Sequence, residues 1–96
     1  MSKQPCIYIL SNRPYGSLYV GVSSHLLKRI WQHKNHITGG FSQKYDLNML
    51  VYYEFFEDIN NAILREKQLK KWKRAWKIRL IESINPDWED LYSYII

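Results

Sequence analysis

Between residues 59 and 69, Ile59, Ala62, Ile63 and Leu69 recur at helical spacing, and one carboxylate stands among them. Glu66 lies at i+3 from Ile63, i+4 from Ala62 and i−3 from Leu69, where an acid costs stability unless it finds a partner. Positive charge surrounds it. Residues 65 to 79 hold eight of the fourteen lysines and arginines against Glu66 alone, a net of +7. The other 81 residues, with six bases and eight acids, carry −2, so the chain is a near-neutral body with one basic segment. A polyanion is the natural partner of such a segment. Earlier in the chain, Arg29 and His33 fall four apart, and Tyr8 and Tyr19 sit eleven positions apart in two β-type runs. Carboxylate, guanidinium, imidazole and phenol are the groups that ligate hard cations, bind phosphate and move protons.

The elements that must position these groups follow from pattern. Cys6-Ile7-Tyr8-Ile9-Leu10 and Leu18-Tyr19-Val20-Gly21-Val22 are β-branched and aromatic, and the turn-rich stretch from Ser11 to Ser17 separates them, which predicts a β-hairpin. Period-two alternation groups Tyr8 with Cys6 and Leu10, and Tyr19 with Gly21, so the tyrosines can share one face. Ser23 or Ser24 can cap a following helix with Leu27, Ile30, Trp31 and Lys34 as its stripe and Arg29 and His33 beside it, ending near Lys34-Asn35. A polar connection from His36 to Asp46 leads to a third strand over Leu50 to Phe56. Asp58 or Asn60 caps a long helix that continues through Trp72 and Trp76 to Leu80 and Ile81, as one helix or as two with a break near residues 71 to 75; Asn85-Pro86 ends it.

Composition narrows the class. Ninety-six residues fit one domain spanning 1–96, and 46% hydrophobic residues with four Trp, eight Tyr and three Phe supply a core. The lone Cys6 excludes an internal disulfide and a Cys-rich zinc site. No segment approaches the roughly 18 apolar residues of a membrane span, and Met1-Ser2-Lys3-Gln4-Pro5 lacks the apolar region of a signal peptide, so the chain reads as cytoplasmic with no membrane partner.

Taken together and in order, Cys6-Ile7-Tyr8, Tyr19-Val20-Gly21, Arg29 and Glu66 resemble the motifs of the GIY-YIG nuclease superfamily. Leu18 to Val22, Arg65 to Trp72 and Asn85-Pro86-Asp87-Trp88 look like its short, single-domain branch, similar to the N-terminal nuclease domain of the excision-repair nuclease. Cys6 departs from the usual glycine of the first motif, a change that bears on packing rather than on proton transfer. The resemblance implies an α/β fold of the α+β type, a small three-stranded antiparallel sheet flanked by helices. It also implies hydrolysis of a phosphodiester with one divalent cation, Mg²⁺ or Mn²⁺, on Glu66.

The residues make physical sense of that chemistry. A single carboxylate leaves most of an octahedral shell to water. Tyr8 would deprotonate or position the attacking water while Tyr19 hydrogen-bonds the phosphate; a phenol of pKa about 10 needs a cation such as Arg29 or the metal for this. Arg29 would grip phosphoryl oxygens through its planar fork, or else pair with Glu54 or Glu57 on the surface. His33 could shuttle a proton or bind phosphate, whereas His36 reads as a solvated loop residue. Asn85 is either a supporting site residue or a turn.

Lys67, Lys70, Lys71 and Arg74 share one helical surface, with Lys73 and Lys77 further round, and a phosphate backbone would supply their missing counter-charge. Trp72, Trp76 and Leu80 form a packing edge, and the tryptophans could also stack on unpaired bases. The expected protein is a metal-dependent endonuclease acting on DNA more than on RNA, with repair as its setting. Lacking a second recognition domain, it would draw specificity from DNA shape, dimerisation or a protein partner. The rival readings are a non-catalytic nucleic-acid-binding module that keeps the fold and basic helix, and a domain whose basic helix meets an acidic protein.

Overall fold

The computed structural model of the chain describes residues 4–37 and 39–96, together with the backbone but not the side chains of residues 41 and 42. Residues 1–3, on which the reading of the amino terminus partly rests, and Thr38 of the polar connection lie outside the described residues. The elements run β1 (Cys6–Ser11), β2 (Leu18–Ser23), α1 (Leu26–Lys34), α2 (Gly40–Lys44), β3 (Met49–Phe55), α3 (Ile59–Lys71), α4 (Arg74–Ile84) and α5 (Tyr92–Ile95). The three strands form one antiparallel sheet in the order β2-β1-β3, and the fold is α+β.

β1 explains the architecture. Its sequence is apolar almost throughout because it is the central strand with both faces covered, and all six residues are buried. On one face Ile7, Ile9, Val20 and Val51 meet Ala62 and Leu69 of α3 and Ile81 of α4. On the other, Cys6, Tyr8, Leu10 and Leu50 meet Leu26 and Ile30 of α1 and Leu47. The alternation read for the hairpin therefore places the tyrosines correctly: Tyr8 lies opposite Gly21, Leu10 opposite Tyr19, and both tyrosines belong to the α1 face. A bulge opposite Ile9 and Leu10 sets Val51 and Tyr52 against the α3 face together.

Local signals decide most element ends. Asp58 caps α3, its carboxylate accepting from the Asn60 amide at 2.9 Å, so of the two expected caps it is Asp58 that serves. The long helix is two helices, because Trp72 and Lys73 take extended backbone and the amides of Trp76 and Lys77 restart the ladder on the Lys73 carbonyl. Asn85 ends α4 ahead of Pro86.

Three expectations are corrected. The cap residue of α1 is His25, not Ser23 or Ser24; the hairpin runs to Ser23, whose hydroxyl accepts from the His25 amide at 3.0 Å just before the helix. The buried stripe of α1 is Leu26, Ile30 and His33, and Trp31 is half exposed. The helix is turned by about one residue because His33 finds a buried partner that compensates its polarity. In α3, Ala62 and Leu69 are buried but Ile59, in the first turn, is exposed. The polar connection also holds the short α2, entered through Gly39 and Gly40 at positive φ. No helix among the described residues is long and apolar enough to cross a membrane.

Candidate active site

Tyr8 is 1% exposed, and its hydroxyl shares a 2.9 Å hydrogen bond with Nε2 of His33. Register makes the place for it. Gly21 lies directly across the hairpin, and a Cβ there would come within 2.3 Å of Tyr8 Cζ and 2.4 Å of its hydroxyl oxygen. Only glycine leaves the room that the Tyr8 ring fills. Tyr19, half-buried, completes an aromatic triangle, its ring centroid 6.4 Å from Tyr8 and 5.8 Å from His33. Gly21 is the functional position the sequence reading missed as such. Its signal was present, since the same alternation that put Tyr19 and Gly21 together also sets Gly21 against Tyr8 in a hairpin of this register.

Electrostatics distinguish the three polar groups. Burial, reinforced by Tyr19, pushes the Tyr8 phenol well above its ordinary range, and the positive charge of Arg29 pulls it part of the way back. Burial and then the Arg29 charge lower His33 to about 4, so its imidazole is neutral at physiological pH. Arg29 forms no ion pair among the described residues; Glu54, one of the partners weighed for it, instead binds Arg65. A buried phenol and a neutral imidazole thus meet beside a guanidinium that has no counter-acid among the described residues.

Glu66 lies on α3, which packs across β2 and β1. Its side chain is mostly buried and meets Lys70 Nζ at 2.7 Å; the same ammonium lies 5.9 Å from the centroid of the Tyr19 ring. Lys70 therefore touches both the carboxylate and the aromatic cluster. Among the described residues no three His, Cys, Asp or Glu side chains converge on a common point. A cation held by Glu66 must take most of its shell from water. That donor set fits a hard, water-keeping ion such as Mg²⁺ or Mn²⁺ and not the nitrogen and sulfur cage of structural zinc.

The basic run is less uniform than its sequence. Arg65 clamps Glu54 through Nε and Nη2 at 3.0 to 3.3 Å, and Arg74 donates to the carbonyls of Tyr15 and Gly16 at 2.7 and 2.6 Å, fastening α4 to the hairpin turn. Lys67, Lys71, Lys73 and Lys77 form no ion pair among the described residues. Lys73 lies over the Trp76 ring, and Trp76, half exposed, meets Trp72 edge-on at 6.0 Å beside Arg79, Leu80 and Ser83. Trp72 packs against the core, as its place on the packing edge implied, whereas Trp76 stays at the surface.

Two other residues take structural positions. Asn85 is buried and donates to the carbonyls of Val51 and Glu89 while its own oxygen accepts from the Glu89 amide, so it locks the turn after α4. Cys6 is buried with its thiol donating to the Ser23 carbonyl, and burial raises its pKa to about 11, which makes it an inert small hydrophobe. His36 is exposed beyond the end of α1, 3.5 Å from Asp46.

The GIY-YIG catalytic domain model matches residues 4–79, a span that contains Tyr8, Tyr19, Arg29, His33 and Glu66. The chain is also similar to three UPF0213 proteins. One, from Clostridium perfringens, is 39% identical over 77 residues, covering 80% of this chain and 82% of the relative. Another, from Staphylococcus saprophyticus, is 35% identical over 75 residues, covering 78% and 90%. A third, encoded in the VLF1-GP41 intergenic region of Autographa californica nuclear polyhedrosis virus, is 38% identical over 81 residues, covering 81% and 76%. No solved structure matches the chain at a significant level. The matched span covers most of the described structure and all of the tyrosine, arginine, histidine and glutamate cluster, and on that ground the chain belongs to the GIY-YIG family of nucleases.

Proposed function

We propose that this protein is a divalent-metal-dependent endonuclease of the cytoplasm, one nuclease unit that hydrolyses phosphodiester bonds in DNA and serves DNA repair. The observation that carries this reading is the buried Tyr8–His33 hydrogen bond set beside an Arg29 that has no counter-acid among the described residues. In the tautomer that leaves Nε2 unprotonated, the neutral imidazole accepts from Tyr8, and the phenol oxygen keeps its lone pairs for a water molecule. As that water attacks phosphorus and the bond to the leaving sugar oxygen breaks, Tyr8 takes the water's proton and passes its own to His33, so that no phenolate forms and the imidazolium that results faces the negative charge building on the phosphoryl oxygens. Arg29 then faces the charge that builds on the phosphoryl oxygens, and Tyr19 donates a hydrogen bond to the same group.

Glu66 is the residue that would hold a divalent cation, and a cation bound there would supply Lewis-acid polarisation of the scissile phosphate. Lys67, Lys71, Lys73 and Lys77 would follow the phosphate backbone, giving affinity that falls steeply with salt and carries little sequence preference, whereas Lys70 is held by Glu66 and Arg74 by the carbonyls of Tyr15 and Gly16. Specificity would then come from DNA shape or from a protein partner.

The test is a cleavage assay of the full chain on supercoiled, branched and single-stranded DNA with Mg²⁺, Mn²⁺ or EDTA, run beside Glu66→Ala. Metal-dependent nicking that disappears in a folded Glu66→Ala variant is the expected result. Binding without cleavage under every condition would favour the non-catalytic module instead, and undiminished nicking by Glu66→Ala would remove Glu66 from the mechanism.

A further inference from the structure

We propose that Lys70 is the resident counter-cation of the Glu66 carboxylate and that a divalent cation must displace it, so that Lys70 sets how tightly this chain binds its metal. The inference rests on the reading of Glu66 as metal ligand and adds to it a residue that works through Glu66 rather than on substrate. Three observations carry it. Lys70 Nζ lies 2.7 Å from Glu66 Oε2, one helical turn further along α3, close enough to hold the oxygen that an incoming cation would use. The pair is asymmetric: the Lys70 side chain is 50% exposed and that of Glu66 14%, so the carboxylate is fixed by its surroundings while the ammonium has a way out into water. The Tyr19 ring, 5.9 Å from the ammonium, offers Lys70 a second contact beside the aromatic cluster once the carboxylate is taken.

Among the described residues no other base pairs with Glu66. Arg65, the preceding residue, is bound to Glu54 and Gln68, and Lys67, the following one, projects to another side of the helix, since adjacent helical residues do not face each other. A hard dication and an ammonium cannot both press on one carboxylate without repulsion. What an incoming cation must first overcome is the attraction of Lys70 for Glu66, and for unit charges about 4 Å apart in a water-like medium that corresponds to a factor of about five in an equilibrium constant. Removing the half-exposed Lys70 leaves the mostly buried Glu66 without its counter-charge, so the variant is expected to melt somewhat lower yet remain folded, which thermal melting checks.

The experiment is Mn²⁺ binding followed by electron paramagnetic resonance on the full chain, for wild type, Lys70→Met, Lys70→Arg and Glu66→Gln, with thermal melting in EDTA to check folding. Lys70→Met is expected to bind Mn²⁺ about fivefold more tightly than wild type, Lys70→Arg to stay within about twofold of it, and Glu66→Gln to lose binding. Unchanged or weaker Mn²⁺ affinity in a folded Lys70→Met, with binding still lost in Glu66→Gln, would overturn the role of Lys70 and leave Glu66 as ligand. Undiminished binding in Glu66→Gln would overturn both.

Discussion

Tyr8 and Tyr52 sit on neighbouring strands of one sheet, point to opposite faces, are 1% and 6% exposed, and both have phenols pushed upward by burial. Their partners differ. The Tyr52 hydroxyl donates to Glu54 at 2.5 Å, and the same carboxylate takes the Arg65 guanidinium, which closes a neutral circuit of phenol, acid and base. Tyr8 meets a neutral imidazole and, beyond it, an arginine with no acid to balance it among the described residues. Residue type, burial and direction of pKa shift are shared, so none of these distinguishes a functional tyrosine from a structural one. On the proposed reading the Arg29 charge, unbalanced among the described residues, does, because it leaves a place for an anion that the Tyr52 circuit has already filled.

The most damaging single change to the Tyr8 side should be Gly21→Ala. Its Cβ would collide with the Tyr8 ring, costing about 1–3 kcal/mol of stability and lowering cleavage by at least about a hundredfold once the phenol leaves its place. Denaturant unfolding and nicking rates measured on the same preparation check both parts. An alanine there that left both unchanged would mean that the ring has room to move.

His33 should show itself in pH dependence. Its folded pKa of about 4 lies below the ordinary 6.5, so between these values the unfolded chain takes up a proton that the folded chain refuses. Stability is therefore expected to be complete above about pH 6.5 and to fall by on the order of 2–3 kcal/mol as pH drops to about 4, without further contribution below that. Denaturant unfolding across this range should show the slope in wild type and lose most of it in His33→Gln. The Tyr52 phenol, raised by burial, stays protonated throughout this range.

Arg74→Ala should have a smaller effect, a loss of about 1–3 kcal/mol from the two carbonyl contacts at the hairpin turn, seen as a lowered melting temperature. Replacing Lys67 or Lys71 by alanine should leave melting unchanged and reduce the salt dependence of DNA affinity by about one unit of slope each. If Arg74→Ala lowered the salt slope as much as the lysine variants did, that guanidinium would belong to the DNA surface as well as to the turn.

The sheet and the tyrosine pair were legible because period-two alternation is local and the hairpin turn fixes its register. Neighbouring residues narrowed the cap of α3 to Asp58 or Asn60 and the long helical run to one helix or two, and the structure chooses Asp58 and the break at Trp72. What pattern could not reveal was pairing across long stretches of chain. His33 is polar, yet it belongs to the buried stripe of α1 because Tyr8, 25 residues away, meets it there, and this turns Trp31 outward. Arg65 and Arg74 read as members of one basic segment until Glu54 and the carbonyls of Tyr15 and Gly16 claim them. Lys70 stands apart from these, since its i+4 spacing from Glu66 is a local signal that points to the pair directly.

The contrast between the two tyrosines is tested most directly by measuring metal-dependent nicking for Tyr8→Phe and Tyr52→Phe side by side, with folding of each verified by thermal melting. Removing the Tyr8 hydroxyl is expected to lower the rate by about 10² to 10⁴-fold, while removing the Tyr52 hydroxyl changes stability modestly and the rate by less than about threefold. Wild-type cleavage by Tyr8→Phe, or an equal loss in both variants, would contradict the assignment of Tyr8, His33 and Arg29 as the hydrolytic centre.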